Sequence, residues 1–263
     1  MKASILSHLP ASHPWREQIQ WFDTLDSTNT YAKQLAQQGA PHGSVILAGS
    51  QSAGRGRMGR SFHSPAGSGI YMSVILRPQC AAQQLMHLTC AAGCAMCDAV
   101  EAVCAVRPGI KWINDLVLER RKIGGILTEL GFSSDGSVDY AVVGIGINCN
   151  HRPEDFPDEL QAIASSLRIV TGKAVDTAVL TAAMICAMER LSRQLLPQAE
   201  IMARYRRDCL TIGKQVQLHG SLSGSALALD VDDSGALLVQ RSDGTVQTVQ
   251  SGEVSVRGLY SYV

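Results

Sequence analysis

The feature that most restricts this chain is the stretch 49–69. It holds six glycines and three arginines with almost no apolar periodicity, and it lies between two apolar runs, 44–48 and 70–77. A helix across it is ruled out by the cost of glycine in helix interiors, about 1 kcal/mol each. The flanking runs are short and end at turn residues, which predicts two buried strands. The chain must therefore carry a long loop on the end of a sheet, and loops of that length inside a compact chain are usually functional or disordered.

The rest of the pattern is consistent with such a sheet. Residues 18–25 read as a strand. The polar group Asp26-Ser27-Thr28-Asn29 then starts a helix, with Tyr31 and Leu35 on its apolar face and Gly39 as its stop. An Ala-rich helix is predicted over 81–106, and strands over 109–113, 115–119, 122–130 and 140–147, with a hairpin turn at Ser134-Asp135-Gly136. Three amphipathic helices are predicted over 158–170, 177–196 and 198–207. Beyond Leu210 the texture changes to short alternating runs broken by His219-Gly220, Asp233-Ser234-Gly235 and Asp243-Gly244. Five short strands in under fifty residues predict a small barrel. The expectation is an α+β chain: a mixed sheet flanked by helices over 1–209, then a small β-barrel domain over 210–263.

Composition removes several function classes. Lys plus Arg and Asp plus Glu are both 23, so no global field draws nucleic acid or an anionic membrane. The most apolar stretch, 88–106, is interrupted by Asp98 and Glu101, and no membrane-spanning helix is expected. Lys2, His8, Pro10, His13 and Pro14 break the unbroken apolar run that a signal peptide needs, which predicts a cytoplasmic protein. Eight cysteines without regular spacing read as reduced thiols. Cys90, Cys94 and Cys97 do spell C-x3-C-x2-C, the spacing of radical S-adenosylmethionine enzymes. That spacing is also one face of a helix, and the Ala-rich surroundings favour buried thiols over a cluster-binding loop.

Four segments carry chemistry. Gly54-Arg55-Gly56-Arg57-Met58-Gly59-Arg60 combines uncovered backbone N–H groups with bidentate anion donors, suited to a phosphate or carboxylate ligand or to RNA phosphates. Lys111-Trp112-Ile113-Asn114-Asp115 places a cation at a strand end; its bland reading is a solvated lysine and an Asn-Asp turn. In Arg121-Lys122-Ile123-Gly124-Gly125-Ile126-Leu127, two glycines stand where a strand prefers β-branched residues, signalling either a close approach or a bulge. Gly144-Ile145-Gly146-Ile147-Asn148 lacks the third glycine and following helix of a dinucleotide fingerprint.

In this order, and with Gln51-Ser52-Ala53 leading into the loop, the segments resemble the biotin–protein ligase family from about Trp21 to the C-terminus. The resemblance implies a class II synthetase-like catalytic domain and an SH3-like terminal barrel. It also implies activation of biotin by ATP with Mg2+ to biotinyl-5′-adenylate, then transfer to one lysine of a carrier, the biotin carboxyl carrier protein of acetyl-CoA carboxylase. By the same resemblance, Ser27, Thr28, Asn29 and Gln51 match biotin contacts, and Arg55, Gly56 and Arg57 match the ligand loop. Lys111 matches the lysine beside the biotin carboxylate and α-phosphate. Arg57, Lys122, Asn148 and Asn114 match positions near the adenylate. Asp115 matches a carboxylate close to the reacting acyl group, where it either handles the acceptor amine or serves as a structural hydrogen-bond acceptor. Lys111, Arg55 and Asp115 are thus the expected catalytic groups, and no metal ligands are assigned.

Three positions depart from the family: Ile113 stands where proline is usual, Met58 where arginine is common, and Phe62 where tryptophan is common. The ligase pattern begins by Trp21, which leaves no room for the N-terminal DNA-binding unit of some members, so no nucleic-acid partner is expected. A monomer or a homodimer is compatible with the resemblance. The rivals are a lipoate–protein ligase or related acyl transferase and, in a different class, an RNA-binding module. The arginine-glycine loop disfavours the first, and 5% aromatic residues disfavour the second.

Overall fold

The computed structural model describes residues 1–195, 199–220 and 222–250, and the backbone of 254–258. Seven strands form one sheet: β1 (Ile19–Leu25), β2 (Ser44–Gln51), β3 (Gly69–Leu76), β4 (Gly109–Lys111), β5 (Asp115–Leu118), β6 (Arg121–Phe132) and β7 (Val138–Asn148). Their order is β1-β2-β3-β7-β6-β5-β4. Only β1 and β2 run parallel. A parallel pair needs a crossover, and α2 (Thr28–Gln37) supplies it, with Ser27 as N-cap accepting from Thr30 N–H at 3.4 Å.

The strands alternate faces as their period of two requires. Ile46, Ile75, Tyr140 and Val142 pack under α2 with Ala32 and Ala36. Val45, Leu47, Val74, Val143 and Ile145 point the other way, into the larger core. That core holds α1 (Lys2–His8), α3 (Leu88–Cys104), α6 (Thr177–Ser192) and α7 (Ala199–Asp208). Residues 82–104 are in fact long and apolar enough to span a membrane, despite Asp98 and Glu101. Both carboxylates lie at the C-terminal part of α3 and pair with Arg107, and the helix is a buried core element. Cys90, Cys94 and Cys97 are buried in it, and burial pushes all three thiols up, Cys94 to about 12. Protonated thiols on a regular helix are poor iron ligands, and the helical reading holds.

The helix expected over 158–170 is two short pieces, α4 (Asp158–Gln161) and α5 (Leu167–Thr171). Two bonds break it, one of them to a strand far back in the chain. Ser165 N–H donates to the Lys122 carbonyl at 2.8 Å, extending the chain there. Ser166 then caps α5, its Oγ accepting from Ile169 N–H at 3.1 Å. The strand read over 109–113 stops at Lys111. The predicted third helix begins at Ala199, and Gln198 lies outside the described residues.

After Cys209 a five-stranded antiparallel sheet forms from β8 (Gln215–Gly220), β9 (Gly224–Val231), β10 (Leu237–Gln240), β11 (Val246–Val249) and β12 (Val254–Gly258), in the order β11-β10-β9-β8-β12. Its inward residues, among them Val216, Leu218, Ala228 and Leu237, join the same apolar cluster as α3 and α7. Parts of the 210–263 unit lie outside the described residues.

Candidate active site

A cavity of about 440 Å3 lies against the strands β4–β7, roofed by the loop that joins β2 to β3. Eleven sequence-predicted residues line it: Ser27, Thr28, Asn29, Gln51, Arg55, Gly56, Arg57, Lys111, Asn114, Asp115 and Lys122. Asn148 does not. Its side-chain amide is buried and donates to the Ser165 carbonyl at 3.0 Å, holding the chain that follows β7 rather than facing the cavity.

The polar end is built from the first turn of α2. Thr28 N–H and hydroxyl both donate to Gln51 Oε1, at 2.8 and 3.1 Å, and Gln51 Nε2 donates to Ser64 Oγ at 2.8 Å. Ser73, wholly buried on β3, bridges Thr28 Oγ1 and Asn29 Oδ1 at 2.9 and 2.6 Å. Asn29 Nδ2 donates to the Leu127 carbonyl at 3.2 Å and to Glu129 Oε2 at 3.1 Å. Space for the Asn29 amide exists because residue 144 is glycine. A Cβ there would sit 1.9 Å from Asn29 Oδ1. Gly146 does the same for Phe62, whose ring would lie 2.5 Å from an added Cβ. The Gly-Ile-Gly segment is therefore a pared-down floor for the cavity.

The arginine-glycine loop is a small hairpin, where the sequence showed only absent periodicity. Arg55 bridges Ser61 in antiparallel fashion, Phe62 N–H donates to the Gly54 carbonyl at 2.8 Å, and Gly56 N–H to the Arg60 carbonyl at 2.7 Å. Its tip turns through Met58 and Gly59, at φ of 55° and 73°. Met58 is exposed, and a side chain larger than glycine at positive φ is uncommon. Arg57 reaches inward and donates to Asn114 Oδ1 at 3.1 Å. Burial lowers its pKa, opposed by the Asp115 charge, and the guanidinium stays cationic. Arg55 pairs with Glu129 at 3.1 Å.

Opposite the loop lie the lysines. Lys122 Nζ pairs with Asp115 Oδ1 at 2.6 Å and lies 6.0 Å from the centroid of the Phe62 ring. Lys111 is buried at the end of β4, in register with Asp115 of β5. The segment around it is gripped by residues much later in the chain. Leu210 N–H donates to the Ile110 carbonyl (2.8 Å), and Trp112 N–H to Thr211 Oγ1 (2.9 Å). Trp112 Nε1 donates to the Gly235 carbonyl (3.0 Å), and the Tyr205 hydroxyl to the Ile113 carbonyl (3.2 Å). The Trp112–Ile113 peptide is cis.

Sequence reasoning missed Glu129, Ser73 and Ser64. Glu129 collects Asn29 and Arg55 on Oε2 and Lys33 on Oε1, at 2.9 Å. Burial raises its pKa, but the bonds from Lys33 and Asn29 and the Arg55 charge outweigh that and hold it below the ordinary carboxylate value. Beside the site, past β7, His151 is wholly buried against Phe156 with ring centroids 4.9 Å apart. Burial, helped by the nearby His63, lowers its pKa to about 4.

Chemically, the cavity offers a hydrogen-bonding end for an uncharged polar ring and a cationic end for anions. Residues 21–148 match the Biotin/lipoate A/B protein ligase family, and residues 211–257 match the Biotin protein ligase C terminal domain. The chain is 36% identical to the bifunctional ligase/repressor BirA of Bacillus subtilis, covering 90% of this chain and 73% of that protein. It is 34% identical to the biotin–[acetyl-CoA-carboxylase] ligase of Paracoccus denitrificans, covering 89% and 98%. Among solved structures, the biotin protein ligase of Aquifex aeolicus in complex with biotin and ATP superposes with a TM-score of 0.78, at 28% identity, over 91% of this chain and 98% of that one.

Proposed function

The chain belongs to the biotin protein ligases, within the Biotin/lipoate A/B protein ligase family, and from that premise we propose that its cavity joins biotin to ATP and passes the biotinyl group to a carrier lysine. The observation that carries this reading is one cavity with two chemistries: Ser27, Thr28, Asn29 and Gln51 at one end, Arg57, Lys111 and Lys122 at the other, and Arg55 beside Asn29 on Glu129 Oε2. The first end suits the ureido ring of biotin, with hydroxyl and amide groups for its N–H and C=O. The second suits a carboxylate meeting an α-phosphate.

Those two anions resist each other by about 4 kcal/mol for one pair of unit charges at 4 Å and an effective dielectric near 20. The four cations offset that cost and stabilise charge that grows on the phosphate in the transition state. Lys111 is fixed by the late-chain bonds described above, whereas Lys122 is placed by Asp115. Asp115 therefore has a structural task before transfer, and it takes part in handling the acceptor amine once the Lys122 bond opens. The hairpin loop over the cavity excludes water from the mixed anhydride.

Mg2+ would neutralise phosphate charge. Among the described residues no group of three or more His, Cys, Asp or Glu could hold a metal, and Asp115 is already engaged. That donor set fits a cation carried in on the nucleotide's own phosphates rather than a protein cage. The acceptor in this reading is the biotin carrier protein of acetyl-CoA carboxylase, the terminal sheet is an SH3-like barrel, and the two units divide near residues 209–210.

Incubation with ATP, Mg2+, biotin and a carrier domain, followed by streptavidin blotting, should show ATP-dependent labelling of one carrier lysine. An unlabelled carrier that instead accepts lipoate would overturn the assignment.

A further inference from the structure

We propose that Glu129 is a positioning residue for the ligase reaction, tying the ring-binding Asn29 to the loop cation Arg55 so that this amide and this cation are set together. The inference rests on the function proposed above and adds a residue that lies outside the cavity wall.

Glu129 sits on β6, two residues beyond Leu127, whose carbonyl also holds Asn29. One carboxylate oxygen, Oε2, accepts from both Asn29 Nδ2 and Arg55 Nη1, each at 3.1 Å. The other, Oε1, is fixed by Lys33 Nζ at 2.9 Å. The carboxylate is thus held from α2 while it holds the loop. Its side chain is 18% exposed against 44% for Arg55. A long, half-exposed arginine loses much rotamer freedom when it is fixed, and this bond supplies the fixed point. Arg55 Nη1 donates to Glu129, and a guanidinium carries further N–H donors suited to a carboxylate or phosphate. Any shift of Asn29 toward or away from a bound ring moves the oxygen on which Arg55 rests.

A purely structural Glu129 would only dock α2 on the sheet through Lys33. The two roles separate in a comparison of Glu129→Gln with Lys33→Met, assayed by biotin-dependent pyrophosphate release and by the rate at which biotinyl-5′-adenylate escapes. Positioning predicts that Glu129→Gln raises KM for biotin and the escape rate and lowers kcat, each about three- to fivefold, the scale of one partly exposed charged bond. Lys33→Met should shift the melting temperature yet move none of these quantities by more than about twofold. If the two variants move in step, the inference fails. Should Glu129→Gln not fold, Asn29→Ala and Arg55→Met combined in the native background decide: effects that fall short of multiplying support coupling, and effects that multiply refute it. A wild-type protein that releases no pyrophosphate with biotin and ATP overturns the ligase reading itself and this inference with it. An active wild type with matched variants overturns this inference alone.

Discussion

Gly144→Ala adds a single methyl group inside a strand whose backbone tolerates alanine, since residue 144 is not among those at positive φ. All of its effect must therefore come from the contact with Asn29 Oδ1, 1.9 Å from the new Cβ. The amide cannot stay. It is held by Ser73 at 2.6 Å, the Leu127 carbonyl at 3.2 Å and Glu129 at 3.1 Å. At about 0.5–1.5 kcal/mol for each bond, its displacement costs about 2–4 kcal/mol. For a chain of this size about 1 kcal/mol corresponds to roughly 2–4 °C, so melting should fall by roughly 5–15 °C. Because the displaced side chain belongs to the polar end of the cavity, KM for biotin should also rise by more than about tenfold. Differential scanning calorimetry and pyrophosphate-release kinetics read both. Placing Gly144→Ala in an Asn29→Ala background supplies the control, because the clash then has no partner and the methyl should add little. A Gly144→Ala protein with native melting and native KM would refute the packing argument, as would an undiminished effect in the Asn29→Ala background.

Further outcomes follow from other parts of the molecule. Arg57→Gly removes the cation that reaches Asn114 from the loop, so adenylate should escape faster while the fold persists; unchanged retention, measured by filtration of labelled adenylate, would count against the assignment. Lys111→Ala should cut adenylate synthesis sharply with melting near native, and normal synthesis would remove Lys111 from the reaction. His151, with its pKa lowered to about 4 by burial, stays neutral while the unfolded chain takes up a proton below about 6.5. Stability is therefore lost as pH falls from about 6.5 toward 4, by about 2 kcal/mol at pH 5. Denaturant titrations of His151→Leu should show a shallower loss over that range. Cys90, Cys94, Cys97 and Cys149 are buried thiols with raised pKa values, and a thiol reagent should reach them only after unfolding.

Strand positions were legible in the sequence because burial writes a period of two or an apolar run into β2, β3 and β7. The start of α2 was legible because Ser27 is a cap whose function is local. The 158–170 helix was misread because what breaks it is not local: Ser165 answers the Lys122 carbonyl from a strand more than forty residues earlier. Site residues at glycine-rich or cationic segments could be found, since such segments depart from what packing alone would choose. Glu129 could not. A single acid in the Thr128-Glu129-Leu130 run looks like the solvated face of a strand until α2 and the loop converge on it. Ser73 was hidden in the same way, as one hydroxyl within an apolar strand. Asn148 shows the reverse case, a polar residue at the end of a suggestive motif whose bonds hold backbone.

The grip on Trp112 has a bearing on how the protein is made. Leu210, Thr211 and Gly235 bond to a segment synthesised about a hundred residues before them. At ~5–20 residues per second, Gly235 is added roughly 6–25 s after Trp112. For that interval the nascent chain can lay down its large sheet, yet the lysine at the end of β4 lacks its late bonds. Lys111, which we propose as catalytic, gains this late support only after Gly235 has been added.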